Sequence, residues 1–282
     1  MDINISGGKT YAYTGGTTFD VQLPTVLFVH GGAHDHSVWI LQSRYLAHHG
    51  YSVLAPDLPG HGRSQGAPLE RVEDMADWVA ALIDSVGAKH TVLMGHSMGS
   101  LIALECAARC PDRVAAIALL GPAFPMRVSA ELLAATKDDE AAAHDMINIW
   151  SHASYAHYPS NPGPGFWVMG ENLRLLQRQK PGVLHTDFAA CNHYDAGLES
   201  AARVRCPTLA ILGGRDMMTP PRGARELLAA LKNAQSIAIP GSGHALMAEK
   251  PDEVLEALLG FLSALDIPGS SRVAQTTENP RP

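Results

Sequence analysis

Residues 91–101 read TVLMGHSMGSL: an apolar run, then a glycine–any–serine–any–glycine pentapeptide, then more small and apolar residues. A strand that turns straight into a helix around such a serine is so tight that the positions two before and two after it have no room for side chains. Here those positions are Gly95 and Gly99. Ser97 would then stand at a helix N-terminus, where backbone N–H groups lack intrahelical partners. That is the setting for nucleophilic attack on an acyl carbon, with the N–H of the next residue, Met98, aimed at the developing oxyanion.

A serine hydroxyl at its ordinary pKa is a poor nucleophile and needs a base, which in turn needs an orienting group. The chain has 14 histidines, so residue type alone selects none of them. His244 stands apart because it lies in PGSGHALMAEKP, a Gly-rich loop just past an apolar run, SIAI. The orienting acid should also follow a strand. TLAILGGRDMMTP supplies Asp216 on a loop closed by Pro220, whereas the run at 114–120 is followed by GPAF, which holds no carboxylate. The order is Ser97, Asp216, His244.

A second stretch invites a different chemistry. Residues 28–39 read FVHGGAHDHSVW, with three histidines and an aspartate between His30 and His36. A metallo-hydrolase H-x-H-x-D-H pattern ending at His36 would need histidines at 31 and 33, where the chain has Gly31 and Ala33. No downstream cluster offers a second ligand set, so the expectation is no metal and no cofactor. His30, His34, Asp35 and His36 then shape the loop or line a mouth.

The elements that must position these residues alternate. Short apolar runs at 25–30, 52–56, 91–95, 114–120, 208–212 and 236–239 are separated by helical patterns, the signature of a mostly parallel sheet with helices on its faces. A hairpin turning at Gly7-Gly8 precedes them. Val72, Met75, Val79, Leu82 and Val86 recur at helical spacing, as do Val254, Leu255, Leu258, Leu259 and Leu262. The alternation breaks between 123 and 200, a helical and loop-like insert interrupted by SNPGPG at 160–165. It gathers Trp150, Tyr155, Tyr158, Phe166, Trp167, Phe188 and Tyr194, and reads as a cap over the sheet that sets selectivity. Residues 1–122 and 201–267 form the core, and the polar, Pro-rich residues 268–282 form a disordered tail.

Composition narrows the partners. Acids outnumber bases 28 to 21, giving a net charge of −7 that argues against nucleic acid and anionic membranes. No run of about 20 apolar residues would span a bilayer, and MDINISGGKT lacks a signal-peptide pattern. Four cysteines in 282 residues do not make a disulfide framework, so the expected location is the cytoplasm.

GHSMG, LGGRD, GSGH, DLPGHGRS at 57–64 and HGG after the first long strand together resemble the α/β-hydrolase superfamily over roughly residues 20–265. The resemblance implies that fold with a variable helical cap, and a Ser97–Asp216–His244 triad. It also implies that the second oxyanion donor is the N–H of Gly32. Serine rather than aspartate at 97 argues against a dehalogenase or an epoxide hydrolase. A serine hydrolase cleaving an ester of a small, largely apolar acyl substrate is the expected activity. A lactone, thioester or carbon–carbon bond would use the same triad, and a receptor on this fold with little turnover is the alternative from another class.

Overall fold

The computed structural model describes residues 1–5, 8–157 and 167–267. Gly7 of the expected hairpin turn, the SNPGPG break with Tyr158 and Phe166, and the tail at 268–282 lie outside the described residues. The strands are β1 (Asp2–Ile5), β2 (Gly8–Tyr13), β3 (Thr25–Val29), β4 (Ser52–Pro56), β5 (Thr91–His96), β6 (Val114–Leu120), β7 (Thr208–Gly213) and β8 (Ala234–Ile239). The helices are α1 (Ile40–Ala47), α2 (Val72–Ser85), α3 (Met98–Arg109), α4 (Ala130–Asp138), α5 (Glu140–Ser151), α6 (Val168–Gln177) and α7 (Val183–His193). They continue with α8 (Gly197–Arg203), α9 (Arg225–Ala230), α10 (Leu246–Glu249) and α11 (Pro251–Ser263).

One eight-stranded sheet runs in the order β1-β2-β4-β3-β5-β6-β7-β8. The β1/β2 hairpin joins antiparallel, and from β4 to β8 every pair is parallel. Strands covered on both faces carry apolar residues without alternation. Every residue of β3, β4, β5 and β7 is buried accordingly. Leu27, Val29, Leu93, Ile117 and Leu119 point to one face, where α2 and α3 cover them. Val26, Phe28, Val92, Met94 and Ala118 point to the other, against Trp39, Leu46 and the Val254–Leu258–Leu262 stripe of α11. On α2 the predicted stripe Val72, Met75, Val79 and Leu82 is buried. The edge strand β8 is exposed along most of its length.

Between β6 and β7 the described residues carry helices and no strand. Leu132, Ala143, Ile147, Leu176 and Leu184 from α4–α7 form a small core of their own, which reaches Ala33 and Met218 at the C-terminal ends of the sheet strands. The end of α7 and all of α8 belong elsewhere: Ala190, Cys191, Tyr194 and Ala201 join the main core beside α3. Among the described residues no helix is long and apolar enough to cross a membrane.

Two glycines show how tightly β5 meets α3. A Cβ on Gly95 would lie 2.0 Å from the Gly99 carbonyl oxygen, and one on Gly99 would lie 2.3 Å from that of Val29. Gly260, on the exposed side of α11, has nothing within 4 Å. The two types should respond oppositely to alanine. Gly95→Ala must displace backbone and is expected to lower Tm by about 5 °C or more. Gly260→Ala improves helix propensity and is expected to raise it by about 2 °C. Thermal melts of the two variants check both signs.

Candidate active site

Ser97 sits between β5 and α3 at φ 53°, ψ −118°, a left-handed position that a non-glycine residue holds only where its surroundings enforce it. The enforcement is visible. Ser97 N–H donates to Leu120 O at 2.9 Å, tying the turn to β6, and Ser100 N–H closes the turn on Ser97 O at 2.8 Å. The side chains of Ser97, His244 and Thr219 line one cavity of about 210 Å³, together with Gly31, Gly32 and Met98. Among the described residues, Ser97 Oγ makes no hydrogen bond, and neither Gly32 N–H nor Met98 N–H donates to a protein acceptor.

His244 follows β8 on the loop expected from its glycines. Its Nδ1–H donates to Asp216 Oδ2 at 2.7 Å, which leaves Nε2 as the lone-pair nitrogen. Asp216 follows β7 and is itself oriented: Thr219 N–H donates to Oδ1 at 2.7 Å and Thr219 Oγ to Oδ2 at 2.8 Å. Burial alone would raise the Asp216 carboxyl, but His244 and the Thr219 donors outweigh it and hold it below its ordinary pKa. The five residues inferred from sequence (Ser97, Asp216, His244, Gly32 and Met98) thus converge on one site.

Several supporting groups were not inferred. Thr219 had a local signal, since an aspartate followed three residues later by threonine is a turn that bonds back on itself. His96 had none: its Nε2–H donates to the His244 carbonyl at 2.8 Å, so the residue beside the serine braces the loop of the histidine. The insert holds the same loop. Ser151 O accepts His244 N–H at 2.8 Å and Ala245 N–H at 2.9 Å, while buried Glu249 accepts Gly243 N–H at 2.6 Å and Ala153 N–H at 2.7 Å.

The His30–His36 loop is polar scaffolding. His30 Nδ1–H donates to Gly31 O at 2.8 Å and its Nε2 accepts Leu58 N–H at 3.1 Å. Asp35, His36 and Asp57 lie close enough to suggest a cation site, yet their oxygens are engaged. Asp57 Oδ1 takes the His36 N–H and Nδ1, and Oδ2 takes Arg63 N–H. Asp35 meets Ser37 and the guanidinium of Arg178. Burial would raise Asp35, but those donors hold it well below the usual carboxylate range. His61, in DLPGHGRS, donates from Nε2 to Asp187 Oδ2 at 2.7 Å.

The larger cavity is lined on the insert side by Leu132, Ile147, Trp150 and Phe188. Trp167, grouped with Trp150 on sequence, is 59% exposed and lines neither cavity. Its ring packs over Gly170 instead. A second cavity of about 130 Å³ shares His34, His96, Ser151 and His244 with the first and continues between Val38, Val168, Leu175 and Met247. Arg127 is the charged side chain lining the first, Glu171 that of the second.

Known proteins resemble this chain along most of its length. The family model for the alpha/beta hydrolase fold matches residues 24–251. A pimeloyl-(acyl-carrier protein) methyl ester esterase of Neisseria meningitidis is 31% identical over 235 residues, covering 78% of this chain and 86% of that protein. Among solved structures, an esterase from Thermogutta terrifontis superposes with a TM-score of 0.80 at 23% identity, over 93% of this chain and 97% of that one. An enol-lactonase from Burkholderia xenovorans does so with a TM-score of 0.82 at 22% identity, over 93% and 100%. The two structures share the fold with this chain.

The buried histidines around the site make stability depend on pH. Burial, with the nearby His61, lowers His30 to about 4, and burial lowers His152 to about 4. The unfolded chain protonates these groups near 6.5 and the folded chain only near 4, so between those values the unfolded state binds more protons. Stability therefore falls as pH falls through that window. His61 works the other way. Burial would lower it, Asp187 raises it above its ordinary value, and its contribution is complete below 6.5 and fades as pH rises. The expected outcome is a Tm that drops between pH 6.5 and 4, and less steeply in His152→Gln, measured by thermal melts across that range.

Proposed function

This chain belongs to the alpha/beta hydrolase fold family, and from that premise we propose that it is a serine hydrolase acting on a carboxylic ester through an acyl-enzyme. One observation carries the reading: the His244 imidazole, its Nδ1–H committed to Asp216, borders the same cavity as the unpartnered Ser97 hydroxyl. In the proposed reaction Ser97 Oγ attacks the acyl carbon as His244 Nε2 takes its proton. Asp216 keeps the imidazole in that tautomer and stabilises the imidazolium. The negative oxygen of the tetrahedral intermediate takes the N–H groups of Gly32 and Met98, which no protein acceptor uses. Collapse expels the alcohol with the proton held on His244. Water, deprotonated by His244, then releases the acid and restores Ser97. No step calls on a cofactor.

The cavities suit a small, largely apolar open-chain substrate better than a lactone. Two chambers meet at His244, which suits a substrate whose acyl and alcohol arms part at the reacting bond. A lactone, whose arms are one ring, would use one chamber. Of the insert expected at residues 123–200, we read the part up to Phe188 as the cap that shapes these chambers, because Leu132, Ile147, Trp150 and Phe188 come from it, while the end of α7 and α8 pack into the main core. The composition supports a soluble, cytoplasmic enzyme working on small molecules, with neither nucleic acid nor inserted membrane as partner.

Ser97→Ala is expected to fold normally and to lose about a million-fold in kcat. A fluorophosphonate probe should label the wild type at Ser97; equal labelling of the alanine variant, read by mass spectrometry, would reject the assignment. A panel of esters, lactones, thioesters and diketones tests the bond.

Selectivity gives a second measurement. Trp150→Ala enlarges the first chamber and is expected to shift the chain-length profile of kcat/KM by tens-fold, since one methylene in a pocket is worth about 1–3 kcal/mol. Trp167→Ala, at the surface, should leave the profile unchanged. Ester profiles and Tm of both variants are the test.

A further inference from the structure

The oxyanion loop has an unusual support. Ala33, the residue after Gly32, holds φ 53° without being glycine, so something outside the loop must fix it. The fixing group is on α7 of the insert. Ala33 N–H donates to Asp187 Oδ2 at 2.7 Å, across 154 residues of chain. Gly32 is pressed against the same place: a Cβ there would lie 3.4 Å from the Asp187 Cβ and 3.3 Å from the Phe188 ring.

Asp187 is fully buried, and a buried carboxylate needs a charge partner. His61 is that partner. Its Nε2 meets Asp187 Oδ2 at 2.7 Å and its Nδ1 meets the Pro59 carbonyl at 3.0 Å. Both neighbours are acceptors, so only the doubly protonated imidazolium satisfies both. The other titratable groups facing His61 are His30, with ring centroids 4.9 Å apart, and Asp57. His30 is neutral, with its N–H given to Gly31 O, and Asp57 adds negative charge that favours the cation.

The neighbouring residues of the insert grip the same two core loops. Arg178 binds Asp35 and Ser37, Gln179 accepts Gly62 N–H, and Lys180 reaches Ser64 O. Asp187 differs from them in touching the peptide next to a proposed oxyanion donor. We propose that Asp187, charged against His61, is a positioning residue for the oxyanion site, so that Gly32 N–H is correctly aimed only while α7 is docked on the core. The proposal rests on the serine-hydrolase reading above. It adds that the insert completes the machinery as well as shaping the chambers. Lifting α7 would release Ala33 from its strained turn and let Gly32 N–H swing away. Bound substrate that holds α7 down would thereby keep the site assembled.

The test compares Asp187→Asn, His61→Gln and the double variant Asp187→Asn/Ala33→Gly with the full wild-type chain. The readouts are kcat and KM for a short ester, Tm, and affinity for a trifluoromethyl ketone, whose adduct places an oxyanion where the donors point. Asp187→Asn is expected to lose about ten- to a hundred-fold in kcat, less than deletion of an oxyanion donor, with KM held within about two-fold. Affinity for the ketone should fall in parallel. His61→Gln, which still offers the carboxylate a donor, should show a smaller loss of the same kind. Glycine at 33 adopts the turn unaided and should restore part of the lost kcat in the double variant. An Asp187→Asn enzyme with unchanged kcat, or one whose loss follows Tm or KM while ketone affinity is retained, overturns the proposal. So does a double variant with no recovery. If Asp187→Asn does not fold, His61→Gln with normal kcat and ketone affinity overturns it. Failure of the underlying reading looks different: the wild type itself would neither react at Ser97 with a fluorophosphonate nor bind the ketone.

Discussion

The close approach of Gly95 to Gly99 is the constraint on which the site depends. With 2.0 Å between a notional side chain and a carbonyl oxygen, the chain can reverse at Ser97 only if both positions are bare. That reversal places α3 beneath the sheet and its first N–H groups at the strand ends. It also forces Ser97 into a left-handed conformation that an isolated peptide would avoid. The strain is held because β5 lies between β3 and β6, both buried, and because the Ser97 peptide is bonded to β6 itself. A site at the edge of the sheet, beside exposed β8, would have no such walls.

Around that fixed point the polar groups form a chain of support. His96 braces His244, Thr219 braces Asp216, and Glu249 braces the glycine before His244. Each link bonds a side chain to backbone, or to a group that is itself bonded to backbone. The proposed reactive groups therefore inherit the rigidity of the strands they follow, while the chambers beside them are lined largely by apolar side chains. Such a division suits the proposed reaction, whose charge develops at one atom.

What sequence could reveal follows from this. The sheet was legible because strands buried on both faces must be apolar throughout, and α2 because one face of it must be. The places of Ser97, Asp216 and His244 in the candidate site were legible because Ser97 stands directly between a strand and a helix, and Asp216 and His244 each follow a strand by a short loop whose glycines and proline leave few alternatives. Asp187 was not: it lies mid-helix, 154 residues from its partner Ala33, in a segment with no strand pattern to register it. Ser151 contributes through its carbonyl oxygen, which every residue type possesses, so no letter in the sequence could announce it. Trp150 and Trp167 carry the same letter and face opposite environments, one lining a chamber and the other exposed. Aromatic content locates a region; only packing tells which ring faces inward.

The shared anchorage of the His244 loop bears on how such enzymes could be recombined. Ser151 O, at the end of α5 in the insert, accepts the N–H groups of His244 and Ala245, and Ala153 N–H, two residues on, donates to Glu249 of the core. An insert hung on the sheet by its two ends alone could be exchanged as a cassette, with one specificity traded for another. Here the graft would need a junction on the far side of Ala153, leaving the 151–153 clasp with the recipient scaffold, or the transplanted segment would have to bring a matching clasp of its own.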